Sequence, residues 1–270
     1  MPEHTLSPAY LQRFGGIARL YGTDALTALS QAHMAVIGIG GVGTWTAEAL
    51  ARSGVGEITL FDLDDICVTN INRQAHALTS TVGQAKAEVL AKRLTDINPD
   101  MIVNPVLDFV ERENIHELIS PDFDIVIDAM DAAHTKAVLI AYCLKRKIRL
   151  ITVGSSGGKR DPRLVTSNDL GRIDADPMLH KVRDRLYRKH NFSKDKGRKF
   201  RVDAVFSTEQ MVYPKPDGSV CMQKNTLQDG VKLDCSGGFG SATMVTGTFG
   251  FVAATKAIER YLTKALNTDH

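Results

Sequence analysis

A glycine-rich turn near the N-terminus is the feature that most constrains how this chain folds. Residues 34–39 form an apolar run that predicts a buried strand, and an alanine-rich helical pattern follows the glycines. A G-x-G-x-x-G turn between a strand and a helix indicates a nucleotide phosphate site. Gly38 permits the tight turn, Gly40 the approach of a phosphate to the backbone, and Gly43 close packing of the helix. Glycines that serve packing alone are the alternative.

A carboxylate follows the second predicted strand at the distance expected for such a site. Residues 57–61 form that strand, and Asp62 comes 19 residues after Gly43. A carboxylate at this position binds ribose hydroxyls in dinucleotide and adenylate sites. Asp62 and its neighbour Asp64 could instead be ordinary solvated loop acids.

Strands and helices alternate through the first half of the chain. Strands are predicted at 101–107, 123–129 and 149–153, and helices at 83–97 and 134–147. This alternation predicts an α/β fold, a Rossmann-like, doubly wound and mainly parallel sheet with helices on both faces. In the first 30 residues, which read as helical, the RFGG and LYG stretches predict breaks.

The second half is expected to continue the sheet with less regular connections. A basic helix is predicted at 177–190, a strand at 202–207 and a long helix at 241–266. We therefore expect one adenylating domain over 1–270, with an ATP-binding core at 30–154 and a C-terminal elaboration at 155–270.

Further polar residues favour ATP over NAD as the nucleotide. They form a tight cluster after the second strand, the start of the next helix and the end of the fourth strand: Asn70, Asn72, Arg73, Gln74, Lys86 and Asp131. Arginine and lysine can hold β- and γ-phosphates, amides can add hydrogen bonds, and a carboxylate can hold Mg²⁺. Hydride transfer needs no such set of cations. Lys86 as a solvated helix charge and Arg73 as a surface ion pair are the alternatives.

In this order, the segments GIGGVG, DLDDICVTNINRQ, VGQAK and DAMD resemble the ubiquitin-activating-enzyme-like adenylating superfamily. That superfamily includes the activators of the molybdopterin and thiazole sulfur-carrier proteins. The resemblance covers about residues 13–154. It implies attack of a carboxylate on the α-phosphate of ATP, with Arg73, Lys86 and Asp131 as catalytic residues and Asp131 holding Mg²⁺. The residues that it implies bind ATP and magnesium are Gly41, Asp62, Asn70, Arg73, Lys86 and Asp131.

The chain departs from relatives in this superfamily at two points. Many of them hold a zinc with two CxxC pairs, which are absent here, so no zinc is expected. Many also carry R-x-x-R-Q, whose second arginine reaches the partner subunit's site. Here Arg13 matches the first arginine and Gly16 takes the second position, so Arg13 and Arg19 are the candidate trans-acting arginines of an expected homodimer.

The C-terminal part is similar to the bacterial tRNA threonylcarbamoyladenosine dehydratases, through its basic stretch and the segment LDCSGGFGSATMVTGTFG. This resemblance implies adenylation of the threonylcarbamoyl carboxylate on the adenosine beside the anticodon, followed by intramolecular ring closure. Cys235 is an alternative nucleophile, although free cysteines are usually buried small hydrophobes. Sulfur-transfer proteins (a cysteine desulfurase and its sulfur acceptor) are further candidate partners. Activation of a ubiquitin-like sulfur-carrier protein and nucleotide binding without chemistry are the competing functions.

Positive charge is concentrated in residues 181–201. Two aspartates oppose ten basic residues there, so the segment carries +8 in a chain whose total is +2. We expect it to contact the phosphate backbone of tRNA, and no DNA is expected as a partner. A solvated face is the alternative. The ten residues are Lys181, Arg183, Arg185, Arg188, Lys189, Lys194, Lys196, Arg198, Lys199 and Arg201.

Composition indicates a cytoplasmic protein. The four cysteines form no CxxC pair, which fits a reducing compartment, and the first residues lack the pattern of a signal peptide. Residues 235–255 carry no charge, but five glycines and six serines or threonines favour a buried helix over a membrane span. Peripheral membrane contact stays an alternative.

Overall fold

The structure, a computed structural model, describes residues 5–195, 198–215, 217–222 and 239–266. Its main strands are β1 (His33–Ile37), β2 (Glu57–Phe61), β3 (Ile102–Val106), β4 (Ile125–Asp128), β5 (Arg149–Val153), β6 (Val165–Asp169) and β7 (Asp203–Ser207), and β8 (Tyr213–Pro214) and β9 (Val220–Cys221) form a small hairpin. The helices are α1 (Pro8–Tyr21), α2 (Thr23–Leu29), α3 (Gly43–Arg52), α4 (Lys86–Ile97), α5 (Ile115–Leu118), α6 (Ala133–Arg146), α7 (Pro177–Lys189) and α8 (Thr243–Ala265).

Seven strands form one sheet in the order β3-β2-β1-β4-β5-β7-β6. All neighbouring pairs are parallel except β6, which pairs antiparallel with β7 at the edge. The predicted doubly wound, mainly parallel sheet is therefore confirmed. The strand order reverses between β1 and β4, which is where sheets of this kind bind ligands, at the carboxyl ends of the strands.

Helices cover both faces of the sheet and bury a separate apolar cluster on each. One cluster joins residues of α3, α4 and α8, such as Leu50, Leu90 and Phe249, to one face. The other joins α6 and α7, for example Ile140 and Leu186, to the opposite face. The central strands β1 and β4 are buried along almost their whole length, as their continuous apolar runs predict.

The structure corrects three details of the sequence prediction. The RFGG stretch does not break the first helix, because α1 runs through Gly15 and Gly16 while Tyr10 and Phe14 pack it against Leu26. The predicted break at Gly22 is present, with φ of 98°. The helix expected from residue 83 begins at Lys86, and the edge strand β6 was not predicted.

Helix α8 lies in the core, as expected for the uncharged C-terminal stretch. Val245, Phe249 and Ala253 are fully buried in the cluster that covers one face of the sheet. Across the described part of the chain, no helix has both the length and the apolar character needed to cross a membrane.

Candidate active site

The glycine turn leaves β1 at the point where the strand order reverses. Gly38 has φ of 86°, and a methyl group there would lie 3.1 Å from backbone atoms of Ala129 and Met130 after β4. A methyl group on Gly43 would overlap the carbonyl oxygen of Gly38, so this position requires glycine for packing. At Gly40 an added methyl would meet no described atom within 4 Å. Gly40 is therefore the turn residue with room for a ligand beside its backbone.

Arg73 lies across this turn. A methyl group on Gly41 would come within 3.2 Å of Cγ and Cδ of Arg73 and of Cγ2 of Thr246. The guanidinium donates through Nη1 to the carbonyl of Thr69 at 2.8 Å and to Oδ1 of Asn72 at 3.0 Å. These contacts bring the predicted arginine to the predicted phosphate turn and orient it there.

The other members of the polar cluster have structural bonds of their own. Oδ1 of Asn70 accepts the N–H of Cys67 at 3.0 Å and so closes a short 3-10 turn. Asn72 donates from Nδ2 to the backbone carbonyl of Ser241 at 2.8 Å. The backbone carbonyl of Asn72 accepts a hydrogen bond from the hydroxyl of Thr243. Asn72 thereby ties the loop after β2 to the start of α8.

Gln74 and His76 lie buried behind the turn. Oε1 of Gln74 and Nε2 of His76 have no hydrogen-bond partner among the described residues. Nδ1 of His76 lies 2.9 Å from the hydroxyl of Thr44 in the first turn of α3. Burial, together with the positive charges of Lys86 and Arg93, lowers the pKa of His76 to about 4, so the imidazole is neutral at pH 7.

Lys86 and two carboxylates meet at the carboxyl end of β2. Nζ of Lys86 is 2.7 Å from Oδ2 of Asp64 and 3.9 Å from Oδ1 of Asp62. Asp62 is buried and accepts the N–H groups of Ile39 at 2.6 Å and Asp64 at 2.9 Å. Burial raises the pKa of Asp62, whereas Lys86 and the two N–H groups oppose that rise. Asp62 thus links the second strand to the glycine turn.

Asp131 lies on the exposed turn between β4 and α6, beside the glycine turn. Beneath it, Asp128 and Lys136 form an ion pair of 2.9 Å in which both side chains are 0 % exposed. The hydroxyl of Thr152 on β5 donates to the second oxygen of Asp128 at 2.7 Å. The sequence analysis did not identify this buried pair. The only signal was one charge at the end of an apolar strand, Asp128, and one before the apolar stretch of the next helix, Lys136.

The profile of the ThiF family matches residues 15–268, nearly the whole chain. This chain belongs to the ThiF family. It is 51% identical over 260 residues to the tRNA threonylcarbamoyladenosine dehydratase of Escherichia coli K12, which covers 96% of this chain and 97% of the relative. The Haemophilus influenzae enzyme of the same name is 50% identical over 94% of this chain and 95% of its own length.

Solved structures of ThiF-family relatives agree with this assignment. A crystal structure of the E. coli tRNA N6-threonylcarbamoyladenosine dehydratase in complex with ATP superposes with a TM-score of 0.86 at 47% identity, and covers 98% of this chain and 100% of that one. By contrast, the E. coli molybdopterin-synthase adenylyltransferase is 33% identical over 50% of this chain and 54% of its own. The resemblance stated from the motifs is therefore confirmed.

The basic segment of this ThiF-family chain is mostly exposed. Its exposed members are Lys181, Arg185, Arg188, Lys189, Lys194, Arg198, Lys199 and Arg201. Arg183 differs: it is 8 % exposed and lies 3.7 Å from a carboxylate oxygen of Asp174, because it falls on the inner face of α7. It is therefore a poor candidate for an RNA contact. Lys196 lies outside the described residues.

A basic cleft of about 850 Å³ opens at the amino ends of β5 and β7, across the sheet from the glycine turn. Two aspartates, Asp169 and Asp203, oppose its cations. Arg201 has φ of 61°, and Asp169 fixes this conformation by accepting its N–H at 2.7 Å. The cleft extends the basic segment with residues that the sequence analysis missed. Its cations are Arg149, Arg172, Lys199, Arg201, Lys256, Arg260 and Lys264.

Arg13 and Arg19, the candidate trans-acting arginines, are both exposed on α1. Arg13 donates to the carbonyl of Ala9 in its own helix at 3.3 Å. The hydroxyl of Tyr10 donates to the carbonyl of Gly54, which lies just before β2. This hydrogen bond anchors α1 at the amino edge of the sheet. The structure does not bring either arginine to the glycine turn of its own chain.

Cys67 and Cys143 are free thiols, and Cys235 lies outside the described residues. Burial and the nearby Asp128 raise the pKa of Cys143 to about 12, so this thiol is not a nucleophile at neutral pH. Among the residues that the structure describes, no group of three or more His, Cys, Asp and Glu side chains could hold a metal ion.

Proposed function

We propose that this chain catalyses the ATP-dependent dehydration of threonylcarbamoyladenosine beside the anticodon of tRNA. The observation that carries the proposal is the 51% identity to a dehydratase of that name over almost the full length of both chains. A match to sulfur-carrier activators extends over only half of the chain. The dehydratases therefore match the C-terminal half of this chain as well as the half with the glycine turn.

The proposed chemistry has two steps. An oxygen of the threonylcarbamoyl carboxylate attacks the α-phosphorus of ATP, and the bond to the β-phosphate oxygen breaks, so that an acyl-adenylate and pyrophosphate form. A nitrogen or oxygen of the same modified group then attacks the acyl carbon, a proton is released, and AMP leaves with the former carboxylate oxygen. The net result is loss of one water from the nucleoside. Because the second attack is intramolecular, proximity supplies much of its rate.

Three side chains have roles in ATP binding under this proposal. Lys86 and Arg73 hold the β- and γ-phosphates, and the glycine turn receives the α-phosphate at Gly40. The closeness of Arg73 to Gly41 supports this assignment, since it places a cation beside the turn. Asp62 is proposed to accept a ribose hydroxyl.

Asp131 is proposed as the magnesium ligand. Mg²⁺ is commonly held by one or two carboxylates together with the phosphates of the substrate, so an exposed carboxylate beside the phosphate turn fits such an ion. When bound, the ion would neutralise charge on the transferring phosphates. Absence of zinc stays a prediction from the missing CxxC pairs.

tRNA binding is proposed to use the basic segment and the basic cleft together. Cations at positions 256, 260 and 264 lie on one face of α8, about 6 Å apart along its axis. Such a row, continued by Lys199 and Arg201, can follow a phosphate backbone. Phosphate contacts position RNA without reading its sequence, which suits an enzyme whose target is a modified base.

A homodimer is also proposed. The loop between β2 and α4 exposes Leu63, Val68, Ile71, Leu78 and Val82, and exposed apolar side chains concentrated in one loop are typical of a protein–protein interface. In sedimentation velocity, Val68→Glu with Ile71→Glu should yield monomers. Leu164→Glu, at an exposed leucine elsewhere, should leave the dimer intact. Association with a cysteine desulfurase and its sulfur acceptor stays a prediction.

Mixed dimers test whether an arginine acts in trans. Arg13→Ala and Lys86→Met subunits are each expected to be inactive alone. If Arg13 serves the partner's site, random mixing should restore about a quarter of wild-type activity, because half of the dimers then contain one complete site. The same mixture with Arg19→Ala tests the second candidate.

The decisive experiment is mass spectrometry of tRNA nucleosides after incubation with the purified protein and ATP. Loss of one water from threonylcarbamoyladenosine, dependent on ATP and accompanied by AMP, is the expected result. An unchanged nucleoside, with pyrophosphate released from ATP only when a ubiquitin-like carrier protein is added, would establish the competing function. Cys235→Ser should retain substantial activity, whereas complete loss in a folded variant would indicate a covalent intermediate.

A further inference from the structure

The ion pair between Asp128 and Lys136 spans the turn that carries Asp131. Asp128 is the last residue of β4, and Lys136 lies in the first turn of α6. Nζ of Lys136 donates to the carboxylate of Asp128 at 2.9 Å and to its backbone carbonyl at 3.2 Å. The N–H of Met130, within the turn, donates to the same carboxylate at 3.2 Å. These bonds connect the two ends of the turn formed by residues 129–132.

Stability alone does not account for such a pair. Two fully buried charges are costly to desolvate, and well-packed apolar residues in their place are often as stable or more so. What a buried pair with extra hydrogen bonds can supply is one defined arrangement of the backbone between its members. Here that backbone is the turn with Asp131.

Besides the ion pair, a backbone bond holds the turn, since the N–H of Ala129 donates to the carbonyl of Ile37 at 2.9 Å. No side chain caps this helix, because its N-cap residue is Ala132. On the opposite side the turn contacts the glycine turn directly, since a methyl group on Gly38 would lie 3.1 Å from Ala129 and Met130. A shift of residues 129–132 would therefore change the position of Asp131 relative to the phosphate turn.

We propose that Lys136 and Asp128 are positioning residues that hold Asp131 where it can engage the magnesium ion of bound ATP. This inference rests on the proposed function, which assigns that ion to Asp131. Thr152 contributes to the same positioning, because its hydroxyl, on the neighbouring strand β5, donates a hydrogen bond to the second oxygen of Asp128. Loosening the pair should weaken the response to magnesium and leave nucleotide binding itself in place.

The test uses the double variant Lys136→Met with Asp128→Asn, which removes both charges and keeps the shapes similar. Calorimetry measures ATP affinity in EDTA and in saturating Mg²⁺ without RNA. We expect affinity in EDTA within twofold of wild type, and a gain on adding Mg²⁺ at least tenfold smaller than the wild-type gain. Asp131→Asn should show the same loss. Amide hydrogen exchange over residues 129–132 should become faster in the double variant.

Ile140→Val is the matched control, because Ile140 is buried on the same helix and is not a member of the ion pair. It should lower the melting temperature and retain the full magnesium response. A double variant with the wild-type magnesium response would overturn the positioning role. A wild-type magnesium response in Asp131→Asn would overturn the positioning role as well.

Thr152→Val covers the case in which the double variant is insoluble. It removes one hydroxyl and should cause a smaller loss of the same kind, and an unchanged magnesium response in this variant would also refute the proposal. Since no RNA enters the measurement, a wild-type protein that binds Mg²⁺ and ATP but leaves the tRNA unmodified would refute the proposed function and not the positioning role.

Discussion

The side chain of Arg73 packs on Gly41, so close that a methyl group at that glycine would lie 3.2 Å from its Cγ and Cδ atoms. The arginine reaches this position because the loop after β2 turns back toward the glycine turn after β1. Its carbonyl also accepts the indole N–H of Trp45 on α3 at 3.0 Å. The glycine turn, the helix that follows it and the loop that carries Arg73 therefore form one packed unit.

The glycines of this unit should separate into structural and ligand-binding positions. Gly40→Ala should keep the wild-type melting temperature, since the added methyl meets no described atom, yet lower ATP affinity at least tenfold. Gly43→Ala should lower the melting temperature, because its methyl overlaps the carbonyl of Gly38. Thermal unfolding with and without ATP measures both. Full ATP stabilisation of Gly40→Ala would show that no phosphate approaches that residue.

Lys86 should control both ATP binding and stability. Lys86→Met leaves the buried carboxylate of Asp62 without its cation, so the melting temperature should fall. The further increase that ATP gives the wild-type protein should be lost. Lys92→Met, at an exposed position on the same helix, should change neither quantity. NAD should not stabilise the wild-type protein, and a shift with NAD alone would favour an oxidoreductase.

The basic cleft predicts a salt-dependent affinity for tRNA. Lys199→Ala with Arg201→Asn removes two of its cations, and asparagine tolerates the left-handed backbone at position 201. Affinity should fall, and the slope of its logarithm against the logarithm of salt concentration should flatten by about 1 to 2. The control, Lys92→Ala with Lys145→Ala, removes two exposed charges elsewhere. Equal effects of both pairs would mean that the cleft has no special role.

His76 predicts an acid-sensitive contribution to stability. Its pKa of about 4 in the folded protein lies below the unfolded value of 6.5, so the unfolded chain binds more protons between these values. The contribution is present above pH 6.5 and is lost as the pH falls toward 4. Wild type should lose about 3 kcal/mol more unfolding free energy than His76→Gln over this range. Denaturant titrations at several pH values measure the difference, and exposed His116→Gln should behave as wild type.

Local patterns were sufficient to predict the parallel core. The alternation of apolar strands with amphipathic helices predicted β1 to β5 and most helix boundaries within a few residues. The edge strand β6 was missed because its sequence, VTSND, is largely polar and exposed on alternate residues. Gly15 and Gly16 predicted a helix break, but the packing of Tyr10 and Phe14 on α2 outweighs the low helix propensity of glycine.

The residues predicted to bind a nucleotide lie close together in the structure. The residues that hold them in place could not be predicted. Arg73, Lys86 and Asp62 could be predicted as nucleotide-binding residues because their types and order match a binding motif. The link between Asp128 and Lys136 depends on how α6 packs against β4 and β5, which no local pattern reveals. The cations of α8 were missed for the same reason, because they become one surface with Arg149 and Arg201 only after folding.

Helix α8 sets the distance between the loop that carries Arg73 and the basic cleft. Its first turn meets the loop that carries Arg73, and its last three turns line the basic cleft, about 20 to 30 Å away along the helix axis. A ligand in simultaneous contact with both ends must be at least about 20 Å long, so an isolated nucleoside can engage only one of them. Substrate size itself thus becomes a criterion for selection, separate from any recognition of base sequence.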